Sequence, residues 1–248
     1  MLGKNMRSLG TRLELAIESF CFKHRLITRK CTIRGAAFRV YSWHPKPWRI
    51  PDVFPLSWIL DRTVKDEIIF DIGANRGYYA MAVKAVHPSV RIHAFEPSHS
   101  IAGKLRQNID LNGWAGDIRV LELAAGERSE RLVLNEALKD AATSLCPDHA
   151  SLNGRVITAL NECRVESLDS LIGNGEVPEP TFIKIDTEGY EKPILRGAMK
   201  CLRRTHPKLC IESHPLKPGD GTVEGIREVL ENLGYTMIRQ EDRFFYCE

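Results

Sequence analysis

The chain has 248 residues, 43% of them apolar, which is enough to bury a substantial hydrophobic core. Its glycine, proline and aromatic contents are ordinary, and they exclude collagen-like and disordered chains. The net charge is +3, but residues 1–50 carry 11 Lys and Arg against 2 acidic residues, which gives them a local charge of +9. Such a basic segment could contact nucleic acid, an anionic membrane or an acidic substrate, or it could be a solvated helix.

Residues 1–60 are predicted to form a basic N-terminal arm that packs on the rest of the chain. Apolar residues recur there at helical spacing, which predicts an amphipathic helix through residues 9–20. A small hairpin is predicted over Cys31–Tyr41, with its turn at Gly35. The charged residues of the arm disfavour a signal peptide, and one of the longest apolar runs, Tyr78–Val83, is far too short to span a membrane.

Seven cysteines form an odd set without a C-x-x-C pair. This pattern is typical of reduced thiols in a cytoplasmic protein, and it gives no zinc-binding spacing.

From residue 61 to residue 248 the pattern alternates between strands and helices, which predicts one catalytic domain. The predicted strands are Ile68–Ile72, Val90–Phe95, Arg119–Ala124, Phe182–Ile185 and Leu209–Ile211. The predicted helices are Tyr78–Val86, Ser100–Leu111, Ile194–Leu202 and one that ends at Gly234. Repeated β-α-β units give a parallel sheet with helices on both faces. A terminal hairpin, Tyr235–Arg239 with Arg243–Cys247, adds an antiparallel edge.

Residues 127–170 interrupt this alternation. Two extended pieces, Arg131–Leu134 and Arg155–Leu160, are predicted to flank a polar loop. Because the excursion follows the third predicted strand, we expect it to cap an active site at the carboxyl ends of the strands.

The turn after the first core strand reads "FDIGANRGYYA" and does not spell G-x-G-x-x-G. Asn75 stands where a dinucleotide-binding turn has its second glycine, and Asn is the side chain that best tolerates positive φ. The Asn75 side chain would occupy the space of a pyrophosphate, and Asp71 would repel one. The turn therefore favours a nucleoside that carries an amino-acid tail. The carboxylate of the tail would face the helix N–H groups, and its ammonium would face the acid or the turn carbonyls.

Two further segments fit such a ligand. Glu96 ends the second core strand and suits a contact to ribose hydroxyls, as an acid does in NAD sites. Ala124, Ala125 and Gly126 would form a small, flat wall for an adenine ring.

Five segments resemble the FkbM-type family of class I S-adenosylmethionine (SAM) methyltransferases. They are "DIGANRGYYA", "FEPS", "LRQNIDLNG" and, most specifically, "IKIDTEGYEKPILRGA" followed by "LCIESHP". The resemblance covers about residues 65–215. It implies a Rossmann-like α/β fold with a mostly parallel seven-stranded sheet, and methyl transfer to a hydroxyl of a small molecule such as a sugar, a glycan or another natural product. Pro193 departs from the family pattern, which tends to have an ordinary helix former there. If the helix begins near Tyr190, the proline falls in its first turn and costs little.

The resemblance also implies roles for individual residues. The cofactor-binding residues would be Asp71, Gly73, Ala74, Asn75, Gly77, Glu96, Pro97, Ser98 and Ala125. The candidate catalytic residues, at the ends of the fourth and fifth core strands, are Lys184, Asp186, Glu188, Glu212 and His214. Asp186 is the first choice for contacting SAM or the acceptor hydroxyl. His214 has the ordinary pKa best suited to a general base. Lys184 could instead have only a structural role, as the ion-pair partner of Glu188 or Glu212.

Three alternatives stay open at this point. Asp186 and Glu188 could hold Mg²⁺ with a substrate diol, although no further ligand is evident and no metal is favoured. The fold could belong to an NAD(P)-dependent oxidoreductase, which Asn75 disfavours. The basic arm could draw in nucleic acid as a methyl acceptor, but no N-P-P-Y-type turn follows the fourth strand.

Overall fold

The structure is a computed structural model that describes residues 24, 27–41, 54–137, 143–150, 156–217, 219–241 and 243–248. The predicted amphipathic helix through residues 9–20 lies outside these residues. Among the described helices, none has the length and apolar content of a membrane-spanning segment. The six cysteines in the described part of the chain are free thiols.

The helices and strands follow the predicted alternation. The helices are α1 Phe54–Arg62, α2 Tyr78–Val86, α3 His99–Leu111, α4 Pro147–Ala150, α5 Leu168–Gly173, α6 Glu191–Arg196, α7 Met199–Thr205 and α8 Thr222–Asn232. The strands are β1 Thr28–Ile33, β2 Ala36–Tyr41, β3 Ile68–Ile72, β4 Arg91–Phe95, β5 Ile118–Leu121, β6 Ala124–Ala125, β7 Glu130–Ala137, β8 Ile157–Glu166, β9 Phe182–Ile185, β10 Lys208–Glu212, β11 Met237–Glu241 and β12 Phe244–Cys247.

The main sheet has seven strands in the order β11-β12-β10-β9-β3-β4-β5. Strands β10, β9, β3, β4 and β5 run parallel, and β12 pairs antiparallel with both β10 and β11. The predicted Rossmann-like α/β fold with an antiparallel terminal hairpin is therefore confirmed. The chain leaves β3 toward β4 and β5 and returns to the other side of β3 at β9. This reversal places a ligand-binding crevice at the carboxyl ends of β3 and β9.

Both faces of the sheet are buried, as the near-continuous apolar strands require. Side chains alternate between two cores, so that Ile69 packs on one face and Phe70 on the other. Helices α1, α2 and α3 cover the first face, and α5, α6, α7 and α8 cover the second.

The hairpin of β1 and β2 turns at Arg34 and Gly35, as predicted, and packs on the first face. Its apolar residues Cys31, Ile33, Phe38 and Val40 are buried. The Tyr41 N–H donates to Asn108 Oδ1 at 2.8 Å, which ties the end of the hairpin to α3.

The structure differs from the predicted elements in two places. The third core strand ends at Leu121, and Ala124–Ala125 instead joins a second sheet in the order β6-β8-β7, which forms the body of the excursion. The predicted helix Ile194–Leu202 is two helices separated at Gly197, whose Cα packs so closely that an added Cβ would lie 1.8 Å from the Gly126 carbonyl oxygen. Pro193 falls in the first turn of α6, where proline costs little.

Candidate active site

A cavity of about 380 Å³ opens at the carboxyl ends of β3, β4, β9 and β10. Its lining includes Gly73, Ala74, Asn75, Tyr78, Tyr79, Glu96, Pro97, Ala124, Ala125, Ser144, Lys184, Asp186, Glu188, Tyr190 and Glu212. Small-molecule sites in proteins have volumes of roughly 300–1,000 Å³, and open α/β sheets place them at this edge. The cavity is therefore the candidate active site.

The turn after β3 has the left-handed backbone that its sequence predicts. Asn75 has φ of 51°, which confirms the prediction for this residue, and Gly73 has φ of 76°. A Cβ at Gly73 would lie 1.8 Å from the Asp186 carbonyl oxygen. Gly73 is required because the turn passes directly against the end of β9.

The backbone N–H groups of residues 73–77 all donate to acceptors within the protein. The first two donate to the Phe95 carbonyl oxygen, at 3.1 and 3.0 Å. Asn75 N–H donates to Glu96 Oε2 at 3.0 Å, and the next N–H donates to Asn75 Oδ1 at 2.7 Å. Gly77 N–H donates to the Ala74 carbonyl oxygen at 2.8 Å. A pyrophosphate would therefore find none of these five turn groups free. The predicted contact of a ligand carboxylate with the N–H groups of helix α2 stays a prediction.

Glu96 lies in the cavity at the end of β4, and 5% of its surface is exposed. Oε1 accepts from the Ser98 N–H at 2.9 Å, so the carboxylate is held on both oxygens. This arrangement orients Glu96 as a rigid acceptor.

Two residues predicted to bind the cofactor, Ser98 and Gly77, also have structural roles. Ser98 caps α3, with its Oγ 3.4 Å from the Ile101 N–H, and it does not line the cavity. Gly77 precedes α2, and a Cβ there would lie 2.3 Å from Leu105 Cδ1. Both residues shape the site through packing and capping.

Asp71 and Lys184 form a buried ion pair behind the cavity wall. Lys184 Nζ lies 3.1 Å from Asp71 Oδ1 and 3.5 Å from Asp186 Oδ2, and it stacks over the Tyr79 ring at 4.7 Å. Its partners are thus two aspartates and not Glu188 or Glu212, the partners that a purely structural role would have given it. Burial alone would lower the pKa of Lys184, but the two aspartates outweigh it and raise the pKa, so the ammonium stays charged.

Asp71 itself does not line the cavity and is 2% exposed. Lys184 lies between Asp71 and the cavity. In this arrangement Asp71 acts on a ligand through Lys184 and not by the direct contact that was predicted. Neither carboxylate oxygen of Asp71 makes a hydrogen bond of normal geometry within the described residues. The negative charge of Asp71 is therefore compensated by the ion pair with Lys184.

His214 lies at the centre of a carboxylate cluster at the ends of β9 and β10. Its Nδ1 lies 2.9 Å from Glu191 Oε1. Its Nε2 lies 3.5 Å from Glu212 Oε1, 3.7 Å from Asp186 Oδ1 and 3.8 Å from Glu188 Oε1. Asp186, Glu188, Glu212 and His214 therefore lie close together, as predicted from their places at the ends of the fourth and fifth core strands.

The same cluster changes the pKa of His214, which bears on its predicted role as a general base. Burial alone would lower the pKa of His214, but its hydrogen bonds to Glu191 and Glu212 outweigh burial and raise the pKa to about 10. Without another cation beside it, the imidazole is protonated at neutral pH and has no lone pair to take a proton. Carboxylates of the cluster are then the available bases.

The raised pKa predicts a pH dependence of stability. An unfolded chain releases the His214 proton near pH 6.5, whereas the folded chain keeps it to about pH 10. The stabilisation is complete below pH 6.5 and is lost as the pH rises to 10, by up to about 1.4 kcal/mol per pH unit. Urea unfolding with EDTA present measures this slope, and His214→Gln should flatten it. Equal slopes for both proteins would contradict the assignment.

Three residues outside the sequence prediction also build the site. Glu191, 1% exposed, holds His214. Ser144, on the excursion, donates from Oγ to the Glu188 carbonyl oxygen at 2.6 Å and thereby braces the turn in which Glu188 has φ of 54°. Tyr190 lines the cavity beside this turn. Glu191 and Tyr190 stand within the quoted fourth-strand signature, whereas no local signal indicates Ser144.

The donor set for a metal ion also differs from the predicted one. Asp186, Glu212 and His214 each offer one ligand atom, and these atoms lie within 4.8 Å of one another. This set differs from the pair of Asp186 and Glu188 that the sequence suggests for Mg²⁺, and that alternative stays a prediction.

Comparison with known proteins places this site in context. The family model described as "Methyltransferase FkbM domain" matches residues 71–237. The chain is 27% identical over 161 residues to the hexuronic acid methyltransferase AglP of Haloferax volcanii, across 63% of this chain and 62% of that protein. It is 24% identical over 210 residues to the 31-O-demethyl-FK506 methyltransferase FkbM of Streptomyces tacrolimicus, across 72% of this chain and 76% of that one. A solved structure of methyltransferase FkbM from Methylobacillus flagellatus has a TM-score of 0.52 at 22% identity, over 75% of this chain and 44% of that one, and it supports the fold.

Proposed function

Since this chain belongs to the FkbM methyltransferase family, we propose that it transfers a methyl group from SAM to a hydroxyl of a small molecule, such as a sugar, a glycan or another natural product. The observation that carries the proposal is one cavity that joins Gly73, Asn75 and Glu96 with the carboxylates that follow β9 and β10. The first set suits a nucleoside cofactor, and the second set suits activation of a hydroxyl.

The residues present fit SAM. Glu96 offers fixed acceptors to ribose hydroxyls, and Ala124 with Ala125 leaves space for a flat adenine ring. The glycine turn presses against the end of β9 without offering the N–H groups of residues 73–77 to phosphates. Lys184, held charged by Asp71, stands at the wall and suits the carboxylate of the amino-acid tail.

When bound, SAM supplies a methyl group on a positively charged sulfur. The protein holds the acceptor oxygen about 3 Å from that carbon and in line with it, which supplies much of the acceleration. One of the two carboxylates that follow β9, Asp186 or Glu188, takes the hydroxyl proton, and a general base contributes roughly 10²–10⁴-fold. The imidazole of His214 orients these carboxylates rather than acting as the base.

The name of one relative specifies a 31-O-demethylated FK506, which supports a hydroxyl acceptor. The name of another specifies a hexuronic acid, which supports a sugar as the acceptor. The family assignment favours a methyltransferase over the NAD(P)-dependent oxidoreductase. The basic residues that could contact nucleic acid lie largely outside the described residues, so the small-molecule acceptor carries the proposal.

The experiment is methyl transfer from isotopically labelled SAM to two acceptor sets, uronic-acid-containing oligosaccharides and a demethylated macrolide. We expect one set to gain a label that mass spectrometry and NMR place on an oxygen. A label found on nitrogen or carbon would contradict O-methylation, and an unlabelled outcome in both sets would contradict the acceptor class.

A further inference from the structure

We propose that Asp186, Glu212 and His214 form a site for one divalent first-row transition-metal ion, with Mn²⁺ as its representative, that binds the acceptor hydroxyl. The site itself follows from the side chains. Only the role of the ion in activating the acceptor rests on the proposed function.

The three donors have the spacing of ligands that share one ion. His214 Nε2 lies 3.5 Å from Glu212 Oε1 and 3.7 Å from Asp186 Oδ1. Metal–nitrogen and metal–oxygen bonds of about 2.0–2.2 Å place two ligands of one ion roughly 3.0–3.5 Å apart. The observed distances are near this range, so small side-chain adjustments would close the shell.

His214 is held in the orientation that a metal ligand needs. It is 5% exposed, and its Nδ1 faces Glu191 Oε1 at 2.9 Å. Glu191 is itself fixed by the Gly189 N–H at 3.0 Å. A carboxylate accepts from Nδ1–H and so directs the Nε2 lone pair of the neutral ring toward Asp186 and Glu212. Histidines that bind metals almost always donate their other N–H in this way.

The charge around the cavity also favours a cation. Among the described residues, five carboxylates and two permanent cations meet at this wall. The carboxylates are Asp71, Asp186, Glu188, Glu191 and Glu212, and the cations are Lys184 and Arg243, which pairs with Glu212. Burying such an excess of one charge is costly. A divalent ion offsets it more completely than the single proton that His214 can carry.

The donor types select the class of metal. Mg²⁺ and Ca²⁺ prefer shells made of oxygen alone, whereas an imidazole with two carboxylates suits Mn²⁺, Fe²⁺, Co²⁺ or Zn²⁺. This set therefore differs from a Mg²⁺ site made of Asp186, Glu188 and a diol.

The position of the site gives the ion a role in the proposed reaction. Asp186 and Glu212 line the cavity, so the ion can take the acceptor's hydroxyl oxygen as a ligand and lower its pKa. The proton passes to Glu188, which lines the cavity outside the three-donor set. The oxygen then bonds to the methyl carbon as the carbon–sulfur bond breaks, and the electron pair of the broken bond stays on sulfur. The products are a methyl ether, S-adenosylhomocysteine (SAH) and protonated Glu188.

The test is Mn²⁺ binding to chelator-stripped full-length protein, measured by electron paramagnetic resonance and by calorimetry. We expect one Mn²⁺ per wild-type chain. Glu212→Gln and His214→Ala should abolish that binding, and Glu191→Gln should weaken it by about 10–100-fold. His99→Ala is the matched control, because His99 also contacts a carboxylate, Glu122, at 2.6 Å but is 90% exposed.

Wild-type protein that binds no Mn²⁺, or a Glu212→Gln variant with wild-type affinity, would overturn the site. Thermal unfolding of each variant shows whether it is folded, and Glu212→Gln conserves side-chain shape should His214→Ala fail to fold. SAH binding is measured separately in metal-free protein. Mn²⁺ binding without SAH binding would support the metal site and contradict the proposed function. SAH binding without Mn²⁺ binding would support the proposed function and contradict the metal site.

Discussion

Replacing Asp186 by Asn is expected to reduce methyl transfer by about 10²–10⁴-fold while SAH binding stays near that of the wild type. The amide has the shape of the carboxylate but cannot take a proton or carry the negative charge that Lys184 and His214 face. Asp71 still pairs with Lys184 in this variant, so the wall of the cavity is retained. Labelled-SAM turnover and SAH calorimetry on the same preparation measure the two effects.

The matched control is Asp61→Asn, since the Asp61 side chain is 56% exposed and pairs with Arg34 at the surface. This variant undergoes the same chemical change and should keep full activity, because exposed ion pairs contribute little. Full activity of Asp186→Asn against the true acceptor would remove Asp186 from the mechanism.

Replacing Gly73 by Ala is expected to remove cofactor binding and to lower the free energy of unfolding by more than about 2 kcal/mol. The left-handed backbone alone costs a side chain about 1–2 kcal/mol. The new Cβ would also lie 1.8 Å from the Asp186 carbonyl oxygen, so the turn or the end of β9 must move. Either movement displaces the cavity wall that carries Asp186. Urea unfolding and SAH calorimetry measure the two losses.

Gly175→Ala separates strain from contact. Gly175 has φ of 72°, and a Cβ there meets no atom within 4 Å. This variant should lose about 1–2 kcal/mol and bind SAH normally. Equal losses in the two variants would mean that the close approach of Gly73 to β9 has no role in the site.

The sequence predicts the sheet well because its signals are local. Phe182–Ile185 is a short apolar run, and its alternation correctly places Lys184 and Asp186 on one side. Asn75 has the predicted left-handed backbone because few other side chains tolerate it. These predictions need only the residue and its neighbours.

The features that sequence reasoning missed depend on contacts between distant segments. Ser144 braces Glu188 across 44 residues, and no pattern near either residue indicates it. The Asn75 N–H donates to the Glu96 carboxylate, so this N–H is not available to a ligand carboxylate. The raised pKa of His214 arises because β10 brings it beside Glu191, which begins another element.

The excursion shows the same limit in the fold. Ala124–Ala125 reads as the end of a core strand, but it pairs with Val165 and Glu166 in a separate sheet. Tertiary pairing decides which sheet a short apolar strand joins, since β-propensity depends strongly on its partners.

The central claim is that the cavity accepts an adenosine joined to an amino acid and excludes two linked phosphates. Isothermal titration calorimetry of ligand-free protein with SAH and with NAD⁺ tests it most directly. We predict saturable binding of one SAH per chain and no heat of binding with NAD⁺. Binding of NAD⁺, or the absence of SAH binding by folded protein, would contradict the claim.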